Sequence, residues 1–401
     1  MTRAASVNHG LKIAVIGGSL GGLFAAFALQ RAGFEVDVYE RSGENLKDRG
    51  AGLRMQQDLI DRLRDGGLKI ETSAVSSSCF RFLGPSGEVV HEESTEITYT
   101  SWTRLYNLLR ETIGPDRYHL GAQAVAIATD APGCVVSFAD GTAHRADLVV
   151  AADGLTSSVR QWLAPAEVPR YAGYVCWRGV VSRDALSMDA MRVLGDAAVY
   201  VMPPSGHLSM YPIPAIDGSS ASDYNMVWYR PVPPHQLPAL LRDGQGTQRQ
   251  WSVPAGQVKR TDIDALHAAA ARELPPAIAE LVMKIEAPFI QVIVDVEVTR
   301  MVHGRTCLIG DAAFSGRPHL GAGTAKAAGD AWTLAEALSR RGSIEDALVE
   351  WEVQRLALGR RYVEVNRELG DGLVAGRVAP QEFTSRASWT QIVESASGGN
   401  L

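Results

Sequence analysis

The chain is short of cysteine. It has four in 401 residues, Cys79, Cys134, Cys176 and Cys307, and no CxxC pair among them. This spacing excludes a disulfide framework and a cysteine-based zinc site, and no metal site is expected. The four thiols fall in apolar, strand-like runs and are read as buried and reduced. The chain also has no long apolar run, since none approaches the ~18 residues that a membrane span needs. The first ten residues, MTRAASVNHG, contain no apolar signal core and read as a short disordered leader. Basic runs are missing as well. With a formal net charge of −6, broad electrostatic binding to nucleic acid or to an anionic membrane is not expected. What is present, 46% apolar and 21% charged residues, fits a soluble, cytoplasmic, globular enzyme, and the length suggests two domains, interleaved along the chain.

The most informative stretch is Lys12 to Arg41. An apolar run, Ile13 to Ile16, enters a glycine-rich turn. A helix-like segment, Leu20 to Arg31, follows, and a second apolar run, Val36 to Tyr39, ends at Glu40. Strand, tight turn, helix and parallel strand ending in an acid form the unit that holds a dinucleotide. The turn brings unpaired helix amides and the positive end of the helix dipole to where a pyrophosphate would sit. Glu40 has the right type and distance to accept hydrogen bonds from an adenosine ribose. The fingerprint puts glycine at 17, 19 and 22, but position 19 is Ser19. Serine permits close backbone approach less freely than glycine. On this stretch alone FAD and NAD are equally open, and so is an ordinary strand-turn-helix without a ligand.

Two later stretches repeat the geometry. Leu148 to Ala151 ends in Asp153-Gly154 before a polar helix start, where Asp153 or Ser157 would also serve as an ordinary N-cap. Thr306 to Ile309 ends in Gly310-Asp311, and Gly321 to Gly323 then open a long helix, Thr324 to Arg340. Between these stretches, Cys79 to Val90 reads as a hairpin and Ser101 to Glu111 as a helix carrying Arg104 on its first turn. Tyr171 to Asn225 alternates in short runs that read as an antiparallel sheet. Ser343 opens a last helix to about Leu369, and residues 371–401, rich in Gly, Ser and Ala, read as a tail.

In this order the motifs resemble the single-component FAD-dependent aromatic hydroxylases with the para-hydroxybenzoate hydroxylase fold, over residues 11 to about 370. Gly17, Ser19, Leu20 and Gly22 with Glu40 and Arg41 match that family's FAD adenosine motif. Asp153, Gly154, Ser157 and Arg160 match its Asp-Gly motif, Gly310 and Asp311 its Gly-Asp motif, and Arg104 an arginine that reaches FAD. Arg54 is expected to approach cofactor or substrate. Gly321, Ala322, Gly323 and Thr324 form a helix start suited to negative charge on a reduced flavin. The stretches YAGYVCWRGV, GHLSMYPIP and RPHLGAGTAKAAGDAWTLAEAL resemble a subgroup that hydroxylates hydroxypyridines such as 2,6-dihydroxypyridine, and in this subgroup the serine in the first turn is shared. Two departures from the wider family are Phe314, where many members have His, and Ala322, where many have Gln.

The resemblance implies an α/β protein in which a Rossmann-like FAD-binding domain is interleaved with a mostly antiparallel β-sheet substrate domain, plus C-terminal helices. The expected boundaries are 1–75, 101–170 and 299–342 for the FAD-binding domain, 76–100 and 171–298 for the sheet, 343–370 for a C-terminal helix and 371–401 for the tail. It implies non-covalent FAD, NADH or NADPH as co-substrate, dioxygen, a small aromatic substrate hydroxylated through a flavin C4a-hydroperoxide, and a homodimer. Other rings, such as a phenol, a hydroxybenzoate or a urate-like heterocycle, are the alternative within this chemistry. A non-catalytic binding protein of the same fold is the alternative outside it.

Deprotonating a hydroxypyridine calls for a base that titrates near neutrality, usually histidine. His319, in the loop between Asp311 and the glycine-opened helix, is the candidate; its plain alternative is a loop hydrogen bond. Tyr211 is a candidate donor to substrate or a core tyrosine. Arg317 is a partner for an anionic substrate or a solvated side chain. His207 opens the strand HLSMYPIP, whose counterpart in the resembled family lines the substrate face, but after Gly206 it reads rather as a solvated turn residue; Trp177, Trp228 and Tyr229 read as sheet core rather than substrate stack.

Overall fold

The computed structural model describes residues 10–46, 52–130, 133–203, 206–215, 222–386 and 388–396. Residues 1–9 of the expected leader lie outside them. Two large sheets organise the chain. The first has six strands in the order Val302–His303, Thr306–Leu308, Leu148–Ala151, Lys12–Ile16, Glu35–Glu40 and Tyr118–Leu120. All neighbours are parallel except the Val302–His303 edge. Such strands are covered on both faces, so they read as continuous apolar runs; Leu148–Ala151 is buried at all four positions. The helix Leu20–Arg31 is buried almost all round because it lies between this sheet and two further helices, Gly323–Arg340 and Trp102–Ile113.

The parallel register aligns Ile16 with both Ala151 and Tyr39, and Ala151 with Leu308. The three motifs, scattered over some three hundred residues, therefore end on adjacent strands at one edge of the sheet. This is where open α/β sheets bind ligands.

The second sheet runs Ser252–Val253, Phe289–Glu297, Arg170–Val181, Ser222–Pro231, His207–Pro214, Ala198–Val201, Ala74–Leu83, Val89–Ser101 and Gly52–Met55, with Phe314–Ser315 pairing to Phe289–Glu297. It is antiparallel except where Ala198–Val201 pairs with Ala74–Leu83. Gly52–Met55 joins the edge of this sheet rather than the first one. Period-two alternation sorts its residues. Val175, Trp177, Leu208, Met226 and Trp228 share one apolar core with residues of the helices Arg260–Glu273 and Pro276–Lys284. Tyr174, Cys176, Val227 and Tyr229 point the other way.

The reading of residues 371–401 as a tail is corrected. The last long helix is Ile344–Val374, and two more follow, Pro380–Arg386 and Trp389–Ala396. Phe383 is buried against Tyr200, Phe82 and Phe80, with ring centroids at 4.9, 5.9 and 6.2 Å. The Trp389 indole N–H donates to Asp58 at 3.1 Å. Ile392 is buried beside Trp389, with Val378, Val393 and Ala396 against the same core, so the stretch is docked through an apolar face as well as two rings. No described helix is long and apolar enough to cross a membrane.

Candidate active site

At the first motif, Gly17 has φ 105°, a conformation open to glycine, and a Cβ there would lie 2.5 Å from the Ala152 carbonyl oxygen. Ser19 is extended, with φ −78° and ψ −175°, so this position does not need glycine. The Gly18 N–H donates to Glu40 Oε2 at 2.8 Å, and the Ser42 N–H to Glu40 Oε1 at 2.9 Å. The Tyr118 hydroxyl donates to the Gly18 carbonyl at 2.8 Å. The turn is thus held by an acid and a phenol from two neighbouring strands. Leu20 is buried at the helix start, and Arg41 is exposed.

At the second motif, Ser157 caps the helix Ser158–Leu163. Asp153 accepts from the Ser157 hydroxyl at 2.5 Å and from the Val159 N–H at 3.2 Å. The buried Arg160 guanidinium donates to the carbonyls of Leu155 at 2.5 Å, Ala312 at 2.9 Å and Glu167 at 3.1 Å. It therefore ties the second motif to the third.

The third motif rests on buried charge. Asp330 Oδ2 accepts from the Gly310 N–H at 3.0 Å, and the Lys326 ammonium donates to the Gly310 carbonyl at 2.9 Å. Lys326 and Arg355 flank Asp330 at 2.8 and 2.7 Å. Burial alone would raise the Asp330 pKa, but these two cations hold it below the usual carboxylate value. Asp311 itself is exposed on the turn that this cluster fixes. Phe314 faces inward, against the helix Ile344–Val374 at Gly359.

Gly321 precedes the helix Gly323–Arg340, and a Cβ there would lie 3.1 Å from Arg54 Cβ. Arg54 lies over the Phe80 ring at 5.6 Å and forms no ion pair among the described residues. Arg104 turns its guanidinium to the Ala215 carbonyl at 2.9 Å. The helices beginning at Leu20 and Gly323 have no side-chain cap and no acid in the first turn. Serines cap the helices that begin at Trp102, Ser158, Met188 and Ile344, whereas Pro276–Lys284, away from the three motifs, is likewise uncapped. Two sets of free amides with positive dipole ends, a glycine turn and a ribose-type acid fit a pyrophosphate-bearing flavin cofactor.

Beside the second helix start, His319 is buried. Its Nε2 lies 2.6 Å from the Tyr174 hydroxyl, and its Nδ1 has no partner among the described residues. Burial first, then coupling to His207 and the Arg317 charge, push its pKa well down, so the imidazole is neutral and is a weaker base than the near-neutral one expected.

Two expectations for this region are corrected. Arg317 is neither solvated nor available to a substrate. Its guanidinium is buried and bound to Asp295 at 3.3–3.4 Å and to Asp371. Tyr211 gives its one hydroxyl proton to the Gly52 carbonyl at 3.0 Å and stacks on Tyr99, centroids 4.3 Å apart, so that proton holds a strand rather than a ligand.

Residue families matching the chain agree with this arrangement. Residues 15–45 match the NAD(P)-binding Rossmann-like domain, and residues 171–295 the FAD binding domain-like family. The 2,6-dihydroxypyridine 3-monooxygenase of Paenarthrobacter nicotinovorans is 36% identical over 367 residues, 91% of this chain and 92% of that one. The chain belongs to the FAD-dependent aromatic-ring monooxygenases. The solved 2,6-dihydroxypyridine-3-hydroxylase from Arthrobacter nicotinovorans superposes on this monooxygenase with a TM-score of 0.87, at 35% identity over 91% of this chain and 93% of that one. HpxO from Klebsiella pneumoniae, solved with FAD and uric acid, superposes at 0.76, with 25% identity over 97% and 95%. The monooxygenase thus takes FAD as cofactor, NAD(P)H as co-substrate and dioxygen as oxidant, on an aromatic or heterocyclic ring.

The preferred reading of His207 is also corrected. His207 is not solvated: its ring is buried and stacks on Tyr229, centroids 4.5 Å apart. Gly206 is the reason, since a Cβ there would lie 1.9 Å from the Tyr229 carbonyl oxygen; the turn closes onto the sheet and the next residue enters it. Tyr229 lies on the His319 side of the sheet, whereas Trp177 and Trp228 are core on the other side, as expected. The signal was the strand pairing, which aligns His207, Tyr229 and Cys176 across three strands.

Proposed function

We propose that this monooxygenase hydroxylates a hydroxypyridine, with 2,6-dihydroxypyridine the first ring to test. The observation that carries the reading is His319, a buried, neutral imidazole held through Nε2 by Tyr174, with an unpartnered Nδ1 beside the glycine-opened helix. The activity named for the 36%-identical relative supports the same substrate.

In this reading Gly17, Ser19, Leu20, Gly22, Glu40 and Arg41 hold the adenosine and pyrophosphate end of FAD. Asp153, Asp311 and Arg104 hold its middle. Arg54 and the Gly321, Ala322, Gly323 and Thr324 helix start face the flavin ring. FAD, reduced by NAD(P)H, supplies the oxygen-activating chemistry. The chain positions the substrate and moves its proton. His319 Nδ1 accepts the ring hydroxyl proton, which requires that Nε2 carry its own hydrogen toward the Tyr174 oxygen. The resulting electron-rich ring lies against Tyr229. Arg317 acts at one remove: bound to Asp295 and Asp371, it lies over Tyr174 at 5.6 Å and steadies the His319 partner.

The test is a ring screen that follows NADH and NADPH oxidation together with product mass. Rapid NAD(P)H oxidation with 2,6-dihydroxypyridine, and a product heavier by one oxygen, are expected. If an FAD-loaded preparation answers to no hydroxypyridine but to a urate-like ring or a phenol, the substrate assignment is wrong. The same reading puts the enzyme in the cytoplasm, where four buried cysteines with no disulfide among the described residues stay reduced, free of nucleic acid and membrane. It makes the enzyme a homodimer, supported by Val349 and Val353, exposed one turn apart on the long helix, and light scattering checks the mass.

A further inference from the structure

His207 and His319 come from unrelated parts of the chain, one opening a strand of the large sheet and the other in the turn before a flavin-side helix. They meet with ring centroids 4.9 Å apart. Both pack against Tyr229, at 4.5 and 4.7 Å. His207 is 2% exposed and His319 7%. Neither Nδ1 has a hydrogen-bond partner among the described residues. A buried polar atom left unpaired costs about 1–3 kcal/mol, and here two such atoms belong to rings in contact with each other. The nearby acids do not answer them, because Asp295 and Asp371 are bound by Arg317. Two uncharged imidazoles, each able to donate or to accept, suit hydroxyl and keto groups on one flat ring.

We propose that His207 is a specificity-determining residue: it and His319 hold the same ring at two of its polar substituents, so that the site selects rings bearing two oxygens over the same ring bearing one. This rests on the hydroxypyridine reading above and adds to it the residue that counts the oxygens. Tyr229 supplies the apolar face, and His319 remains the group that takes the proton.

The experiment is an equilibrium titration of FAD-loaded enzyme with 2,6-dihydroxypyridine and with 2-hydroxypyridine, followed by the change in flavin absorbance. The wild type is expected to favour the two-oxygen ring by about tenfold or more, the value of one hydrogen bond to a buried group. His207→Phe keeps the stack on Tyr229 and removes the nitrogens. It should reduce that preference to within about twofold, chiefly by weakening 2,6-dihydroxypyridine binding. His207→Gln, which keeps a polar group, should retain part of the preference. Unaltered FAD content and flavin spectrum establish that each variant is folded; if the phenylalanine variant loses FAD, His207→Leu replaces it. A wild type that binds both rings equally, or a folded Phe or Leu variant that keeps the full preference, overturns the proposal. A loaded wild type that binds neither pyridine but binds another ring overturns the hydroxypyridine reading itself.

Discussion

At the scale of single residues, His319 makes the sharpest demand. His319→Ala should retain FAD, because the imidazole lies outside both helix starts, and should lose hydroxylation by ~10²-fold or more. Product mass against flavin content measures both, and unchanged turnover would remove the base. Acid sensitivity follows from the same burial. His207 is pushed down to about 3 and His319 well below its ordinary value, both first by desolvation. In the unfolded chain both protonate near 6.5. Between about 6.5 and about 3 the unfolded state therefore binds more protons than the native one, and stability falls as pH falls. The loss is at most about 1.4 kcal/mol per pH unit per histidine. Melting curves from pH 7.5 to 5 should show this slope flattened in His207→Phe; an equal slope in the two proteins would mean that His207 is not held neutral. His319 was legible in the sequence because a loop between two motifs is a short tether. Arg317 was not, because its acids, Asp295 and Asp371, are brought to it only by the fold. His207 was misread because local polarity after Gly206 says turn, while a close backbone approach makes it sheet.

At the scale of elements, three strand ends were readable because each is local: an apolar run, then glycine or an acid, then a helix. What lies beneath them was not. The turn at Gly310 is gripped through both its N–H and its carbonyl by Asp330 and Lys326, one helical turn apart. In sequence, AKAAGD looks like an ordinary helix face with an i,i+4 ion pair. Removing one partner of a buried pair leaves an uncompensated charge. Lys326→Met should therefore cost about 3–5 kcal/mol in urea unfolding and weaken FAD binding. A loss under about 1 kcal/mol, with FAD affinity intact, would show that the pair does not hold the turn.

At the scale of the whole molecule, the C-terminal residues close the structure. Phe383 completes an aromatic cluster whose other members, Phe80, Phe82 and Tyr200, belong to the large sheet, and Arg54 lies over Phe80. Phe383→Ala should destabilise the protein by about 3–5 kcal/mol, read by denaturant titration. A neutral effect would return these residues to the status of a tail. Their docking was hidden because the apolar face of the last helix, Trp389, Ile392, Val393 and Ala396, is short and sits in a Gly/Ser/Ala-rich stretch, while Phe383 reaches its cluster only through the fold.

The two uncapped helix ends have a further consequence, which concerns supply. Ligand that binds only the native state adds stability in proportion to the logarithm of its concentration. The flavin-free chain should therefore melt well below the loaded one, and cells triage marginal chains continuously. A cell starved of riboflavin would then lose this enzyme by degradation before losing its activity per molecule, and its abundance would serve as a gauge of the flavin pool.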